Sequence, residues 1–131
     1  MYFVQRKKKI MNRFKELRVW QEAADLAVYI YSITSTFPEN EKYSLTSQIN
    51  RCTISISANI AEGAGRISKK EFKNFLGIAN ASCCELESHL YIANKLNLIN
   101  NELTEKINAK IHHIQNMIFK LKQTLMSKTE I

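Results

Sequence analysis

The sequence predicts an all-α protein: an antiparallel up-down-up-down four-helix bundle that assembles into a homo-oligomer. Apolar residues recur at alternating steps of three and four over four long segments, which is the spacing of one helix face. The breaks between these segments are short, so that sequential helices are expected to run antiparallel. The 131 residues include one proline and three glycines, too few for the many turns of an all-β domain.

The first helix is expected from about residue 17 to residue 36, and the second from about residue 44 to residue 62. Phe37-Pro38 ends the first, because the residue before a proline is disfavoured in the α region. The predicted buried stripe of the first helix is Leu17, Trp20, Ala24, Ala27 or Val28, and Tyr31. That of the second is Leu45, Ile49, Cys52, Ile56 and Asn59 or Ile60.

The third helix is expected from about residue 69 to residue 96, and the fourth from about residue 101 to residue 126. The third carries the stripe Phe72, Leu76, Ala79, Cys83, Leu86, Leu90 and Ala93. The fourth carries Leu103, Ile107, Ile111, Ile114, Ile118, Leu121 and Leu125. The bundle is therefore predicted to span residues 14–127, after a basic arm at 1–13 and before a tail at 128–131.

Several apolar residues lie off these stripes. They are Val19, Val28, Ile30 and Ile33 on the first helix, Ile54 on the second, and Phe75, Ile78 and Ala81 on the third. Single exposed apolar residues are normal in a monomer. Extra apolar side chains on three helices would be buried by contact with another subunit, which predicts a homo-oligomer.

The net charge of +7 is concentrated near the N-terminus. Residues 1–18 contain seven basic residues and one acidic residue, whereas the remaining residues contain twelve and eleven. Such an arm, with Lys7, Lys8 and Lys9 in a row, is typical of contact with phosphate. The alternative is a solvated leader or a set of non-native residues, and the sequence leaves both open.

The segment from Asn59 to Phe72, here called the corner, combines a helix end with a helix start. Gly63 and Gly65 are expected to end one helix and turn the chain with positive φ. Ser68 is predicted to be the next N-cap, with Glu71 completing a capping box. Asn59 and Glu62 are interpreted as partners for loose backbone groups or as register-fixing residues, rather than as ligand contacts.

Basic residues surround the predicted helix start at the corner. Lysines there oppose the helix macrodipole, and Lys69 and Lys73 form a like-charged i,i+4 pair. A bound polyanion such as nucleic acid would relieve both costs, whereas a solvated corner is the open alternative. The predicted nucleic-acid contacts are Arg51, Arg66, Lys69, Lys70 and Lys73, assisted by Lys7, Lys8 and Lys9.

Catalytic and metal-binding patterns are not found in the sequence. His89, His112 and His113 form no His-x-x-x-His or Glu-x-x-His pair, and the adjacent Cys83 and Cys84 diverge on a helix. No serine lies in a glycine elbow and no phosphate loop occurs. We therefore expect no enzyme, metal or cofactor.

The sequence also predicts where the protein is located. Its cysteine count is odd, and it has no signal-peptide pattern and no apolar run long enough to span a membrane. A cytoplasmic protein without membrane contact is therefore expected.

Several blocks resemble the four-helix-bundle family named for the 23S rRNA intervening sequence. Residues 14–23 (FKELRVWQEA) are similar to its opening and residues 37–49 to its second block. Residues 59–66 (NIAEGAGR) resemble its hallmark, and residues 68–72 (SKKEF) follow as they do in that family. The resemblance covers residues 14 to about 125, and the fourth helix matches only in apolar spacing.

The resemblance implies a small bacterial protein without enzymatic activity. Family members are encoded within insertions in 23S rRNA genes and elsewhere in genomes. A related branch, the accessory protein of diversity-generating retroelements, forms a pentamer and binds nucleic acid and a reverse transcriptase. It therefore implies RNA or DNA as a partner and a homopentamer as the assembly, with a reverse transcriptase as the alternative partner.

Overall fold

The computed structural model describes residues 13–129, which form four α-helices and no strand. The helices are α1 (Arg18–Thr34), α2 (Leu45–Ala64), α3 (Lys69–Lys95) and α4 (Asn101–Thr129). Short 3-10 turns at Arg13–Glu16 and Glu39–Glu41 lie before α1 and α2. The predicted all-α class is confirmed, and the predicted helix ends agree with the structure to within three residues. Within residues 13–129, no helix is long and apolar enough to span a membrane.

Hydrogen bonds between side chains on neighbouring helices show that these helices run antiparallel. For the pairs α2–α3 and α3–α4, residue numbers rise along one helix as those of the bonded partners fall along the next. For α1 and α2, a bond joins the end of one helix to the first half of the next across a short connection. The bonds are Thr34–Asn50 at 2.9 Å, Arg51–Glu85 at 2.5 Å, Ser55–Ser82 at 2.8 Å, Glu87–His112 at 3.1 Å and Asn80–Gln115 at 3.1 Å. The order is therefore up-down-up-down, as the short connections predicted.

One hydrophobic core runs the length of the bundle, and all four helices contribute to it. The predicted stripes of α2, α3 and α4 are confirmed, because their central residues are buried while their terminal residues pack against the core. The largest fully buried side chains are Ile30, Ile49, Ile56, Ile60, Leu76, Leu86, Leu90, Ile107, Ile111, Ile114 and Ile118, together with Thr53.

The predicted stripe of α1 is confirmed only at its start, where Leu17 and Trp20 pack against the core, and is wrong beyond it. The helix buries Val19, Ala23, Leu26 and Ile30, whereas Val28 is 74% exposed. Apolar residues cover a wide arc of α1, so its sequence fits more than one orientation; the positions of α2 and α4 select one. Val19 and Ile30 thus belong to the core and are not part of the predicted apolar surplus.

The connection between α3 and α4 turns on asparagines. Asn97 has a left-handed φ of 63°, a conformation that asparagine tolerates better than most residues. The Asn94 side-chain amide donates to the Ile99 carbonyl at 3.0 Å, and the Asn100 side chain accepts from the Leu103 amide at 2.8 Å. These bonds satisfy backbone groups where one helix ends and the next begins.

Gly63 does not turn the chain, contrary to the prediction. Helix α2 continues through Gly63 to Ala64, Gly65 has a φ of −83°, and no glycine in the described residues has a positive φ. A Cβ on Gly63 would lie 2.7 Å from the Cβ of Phe75 and 3.0 Å from Cδ1 of Phe72. Glycine is therefore needed at position 63 because α2 and α3 approach closely there.

We expect Gly63→Ala to lower the free energy of unfolding by about 1–3 kcal/mol, the usual cost of overpacking. The atom it meets, the Cβ of Phe75, is fixed to the α3 backbone, so that the helices must shift apart. Urea denaturation of the purified protein measures the change.

Gly65→Ala is the matched control for that substitution. Its nearest atoms to an added Cβ lie at 3.6 Å and 3.7 Å, and its φ suits any residue. Gly65→Ala should therefore be neutral or stabilise the protein by about 0.4–1 kcal/mol. Equal destabilisation by both alanines would contradict the steric role of Gly63.

Candidate nucleic-acid interface

The antiparallel order places the start of α1, the end of α2, the start of α3 and the end of α4 at one end of the bundle. This end, here called the basic end, comprises residues 13–22, 58–78 and 114–129. Among the residues there whose side chains the structure describes (14–22, 58–78 and 114–126), eight are lysine or arginine and four are glutamate. The opposite end, residues 28–51 and 85–108, contains four basic and six acidic residues. The charge of the bundle is therefore strongly polarised along its axis.

Arg66 lies at the corner but is held by contacts within the protein. Its Nη2 lies 3.0 Å from Oε2 of Glu62, and its Nη1 lies 3.9 Å from Oε2 of Glu71. Its guanidinium also stacks over the ring of Phe75 at 4.9 Å. Folding therefore accounts for the charge of Arg66, which was predicted as a nucleic-acid contact, because two carboxylates and an aromatic ring compensate it.

The corner lysines have a different environment. Lys69 and Lys70 are exposed, and Lys73 is half-buried. None of the ion pairs found within residues 13–129 involves these three lysines. They lie in the first turn and a half of α3, where the macrodipole disfavours positive charge.

Lys122 of α4 adds to this lysine group and was missed by the sequence reasoning. Its Nζ lies 3.8 Å from the point where a Cβ on Gly77 would be, one turn after Lys73. The amino group thus lies over α3 close to the corner lysines. Only the register between α3 and α4 reveals this proximity, since 49 residues separate Lys73 from Lys122.

Ser68 occupies the N-cap position of α3. Its Oγ accepts a hydrogen bond from the Glu71 amide at 3.1 Å, and its hydroxyl lies 3.3 Å from Oε1 of Glu71. The Glu71 carboxylate also lies in the first helical turn, where negative charge is favoured. The cap fixes where α3 begins and hence where the lysines lie.

Asn59 and Glu62 both make contacts within α2. The Asn59 amide donates to the Ser55 carbonyl at 2.8 Å and to the Ser55 hydroxyl at 2.9 Å. Glu62 pairs with Arg66 across the helix end. Neither side chain bonds a backbone group of the turn. Asn59 stabilises α2, whereas Glu62 holds Arg66 at the corner.

Arg51 is not part of the basic end. It lies thirteen residues before the end of α2 at Ala64, a distance of about 20 Å along a helix. Its Nη2 donates to Glu85 at 2.5 Å and to Gln48 at 2.7 Å. The prediction that Arg51 extends the corner patch is therefore wrong, because the helix carries it away from the corner and Glu85 compensates its charge. Lys7, Lys8 and Lys9 lie outside the described residues.

Arg51 instead borders three potential metal donors, here called the α2–α3 cluster. The Sγ of Cys52, a carboxylate oxygen of Glu85 and a ring nitrogen of His89 lie within 4.8 Å of one another. Burial, reinforced by the charge of Glu85, raises the pKa of the Cys52 thiol to about 12. The hydrogen bond from His89, aided by Arg51, lowers the pKa of Glu85. The Glu85-x-x-x-His89 spacing was the sequence signal for this pair, and the expectation of no metal site overlooked it.

The sequence matches the profile of the 23S rRNA-intervening sequence protein family over residues 15–120. The chain belongs to this family. It also resembles a crystal structure from Bacteroides thetaiotaomicron VPI-5482, a protein of unknown function from the S23 ribosomal protein family. That structure is 28% identical, with a TM-score of 0.74, and the match covers 79% of this chain and 97% of the other. No curated protein matches the chain.

The family match includes the corner, the α2–α3 cluster and most of α4. It excludes Lys122 and the lysines at positions 7–9, which lie beyond its two ends. The corner lysines are therefore within the family region of this chain, whereas part of the charge at the basic end comes from segments outside it.

We expect Ser68→Ala to lower the free energy of unfolding by about 1 kcal/mol, because the Glu71 amide loses its cap. Ser44 is the matched control, since it occupies the N-cap position of α2 without a side-chain cap hydrogen bond. Ser44→Ala should change stability by less than about 0.5 kcal/mol. Urea denaturation compares the two variants, and a larger loss at Ser44 would contradict the cap assignment.

Proposed function

We propose that this family member binds structured nucleic acid, RNA in particular, through backbone phosphates at the basic end. It acts as a non-enzymatic homo-oligomer in the cytoplasm. The observation that carries the proposal is the polarised charge: eight basic residues against four acidic ones among the described side chains at one end of the bundle. Such a field attracts a polyanion and orients it toward that end.

The lysines at the start of α3 are the proposed centre of the interface. Lys69, Lys70 and Lys73 make no ion pair within residues 13–129 and oppose the helix dipole, so folding alone does not account for them. Phosphates would compensate these charges and would also meet the free amides of the first α3 turn. Lys122 lies close enough to contribute a further contact from α4.

The contacts proposed here read charge and shape rather than base sequence. Lysine amino groups on helix surfaces contact phosphate oxygens, which carry no sequence information. Structured RNA is recognised mainly through its backbone and shape. Arg66 has the role of bracing the corner, and Lys7, Lys8 and Lys9 are proposed to assist, because the arm precedes the 3-10 turn at the basic end.

A salt series tests the proposal. A fluorescent RNA hairpin is titrated with the protein and with the triple variant Lys69→Gln, Lys70→Gln, Lys73→Gln. For the unaltered protein, affinity should fall steeply with salt, as expected for counterion release. Removing three phosphate contacts should weaken binding and reduce the slope of log affinity against log salt by about 2 to 3.

The matched control removes the same charge from the opposite end through Lys42→Gln, Lys95→Gln and Lys106→Gln. This control should keep the salt slope of the unaltered protein. An equal loss in both variants would show that net charge, rather than the basic end, determines binding. Absence of salt-dependent binding by the unaltered protein would refute the proposal, and a DNA hairpin of the same sequence tests the preference for RNA.

The exposed side of the α2–α3 pair is the proposed contact between subunits. Ile54 on α2 and Ile78 on α3 are 45% and 48% exposed. They flank the contact between Ser55 and Ser82, whose hydroxyls are 2.8 Å apart. A homo-oligomer, with a pentamer as the family-based expectation, would cover these apolar side chains.

The same apolar face supports a second function, that of a scaffold or accessory subunit for another protein such as a reverse transcriptase. Light scattering separates the two roles. We expect an oligomer that Ile54→Lys with Ile78→Lys dissociates, whereas the exposed control Val28→Lys leaves it intact. A monomeric unaltered protein would contradict self-assembly and leave the face to a different partner.

A further inference from the structure

The α2–α3 cluster takes no part in the proposed nucleic-acid contacts. We propose that Cys52, Glu85 and His89 bind a divalent transition-metal ion with the preferences of Zn²⁺. The site would join α2 to α3 at some distance from the corner. It is independent of the proposed nucleic-acid contacts, because none of its three donors belongs to the basic end.

The geometry of the donors is close to that of a zinc site. The ring nitrogen of His89 lies 3.1 Å from Oε2 of Glu85, and the Cys52 sulfur lies within 4.8 Å of both donor atoms. Tetrahedral zinc has bonds of about 2.0–2.3 Å, which separates its donors by about 3.3–3.8 Å. The glutamate and the histidine are already near this separation, and the sulfur lies at most about 1.5 Å too far from either.

The helices hold the donors on facing surfaces. Glu85 and His89 are four residues apart on α3, so their side chains share one helix face. Cys52 comes from α2, beside Arg51, whose bond to Glu85 shows that the two helices are in register here. Two donors from one helix and one from its neighbour would make the ion a cross-link within the bundle.

The chemistry of the donors selects the class of ion. A thiolate and an imidazole favour zinc, cobalt and similar metals, whereas calcium and magnesium prefer oxygen ligands. Three protein donors leave a fourth position for water. The buried cysteine would supply the inner ligand, while the partly exposed Glu85 and His89 provide access from solvent. Binding would release the thiol proton to solvent.

Arg51 is the group that opposes this site. Its guanidinium forms a salt bridge with Oε2 of Glu85 and carries positive charge close to the proposed ion. The side chain is 58% exposed and also bonds to Gln48 at 2.7 Å, so it can leave Glu85 while remaining on α2. The second carboxylate oxygen of Glu85 is also available to a metal. Removing Arg51 should therefore strengthen metal binding.

Titration with Co²⁺ tests the site directly. The exposed Cys84 is first replaced by serine so that it cannot bind metal, and this Cys84→Ser protein is the reference. We expect one Co²⁺ per chain, a thiolate-to-cobalt charge-transfer band in the near ultraviolet, and visible bands of tetrahedral cobalt. Zn²⁺ should bleach these bands and raise the melting temperature.

Substitutions then identify the donors. Cys52→Ser should abolish the charge-transfer band, and Glu85→Gln and His89→Asn should each weaken Co²⁺ binding at least tenfold. Arg51→Gln should strengthen it several-fold. Circular dichroism shows that each variant is folded, and the two α3 variants keep the test decisive if Cys52→Ser does not fold.

Two matched controls come from the same helices. Cys83 is also buried but does not belong to the cluster, and His112 pairs with Glu87 at 3.1 Å in a pair that no described cysteine extends to a three-donor group. Cys83→Ser and His112→Asn should leave the cobalt spectrum and affinity unchanged. No charge-transfer band in the reference protein, a band that survives Cys52→Ser, or an equal loss from His112→Asn and His89→Asn would overturn the proposal.

Discussion

The close packing of α2 against α3 is the contact on which the rest of the structure depends. It is the most extensive contact between any two helices of the bundle. Gly63 permits the approach near the corner, and the Ser55–Ser82 hydrogen bond lies near the middle of the helix pair. Further along, Arg51 and Glu85 join the helices at the solvent boundary. These contacts fix the register of α3, and with it the position of every charged residue on that helix.

The corner shows how this packing separates structural residues from residues available for binding. Arg66 reaches back to Glu62 and lies over Phe75, so it fastens the end of α2 to the first turns of α3. Ser68 then caps the new helix. The turn is satisfied without a ligand, while the neighbouring lysines have no ion-pair partner within residues 13–129. Their cost to folding is the physical argument that they serve another purpose.

The α2–α3 pair carries two separate groups of candidate functional side chains: the lysines at the basic end and the three potential metal donors. At the basic end, antiparallel topology gathers lysines from α3 and α4 into one positive surface. Near the opposite end of the same seam, a buried thiol meets a carboxylate and an imidazole, with Arg51 beside them. The two sites share no donor or contact residue. The proposed polyanion contacts and the proposed metal site can therefore be tested separately.

The sequence by itself determined the fold class, the four helices and the cap at Ser68, because helix periodicity and capping depend on residues only a few positions apart. Tertiary structure decided which face α1 buries and made glycine necessary at position 63. It also placed Glu85 beside Arg51 and Lys122 beside the lysines of α3. It also brought Cys52 to Glu85 and His89. These outcomes depend on the register and spacing between helices, which arise from the packing of side chains distant in sequence. Local pattern specifies each helix, but not the residues that it will meet.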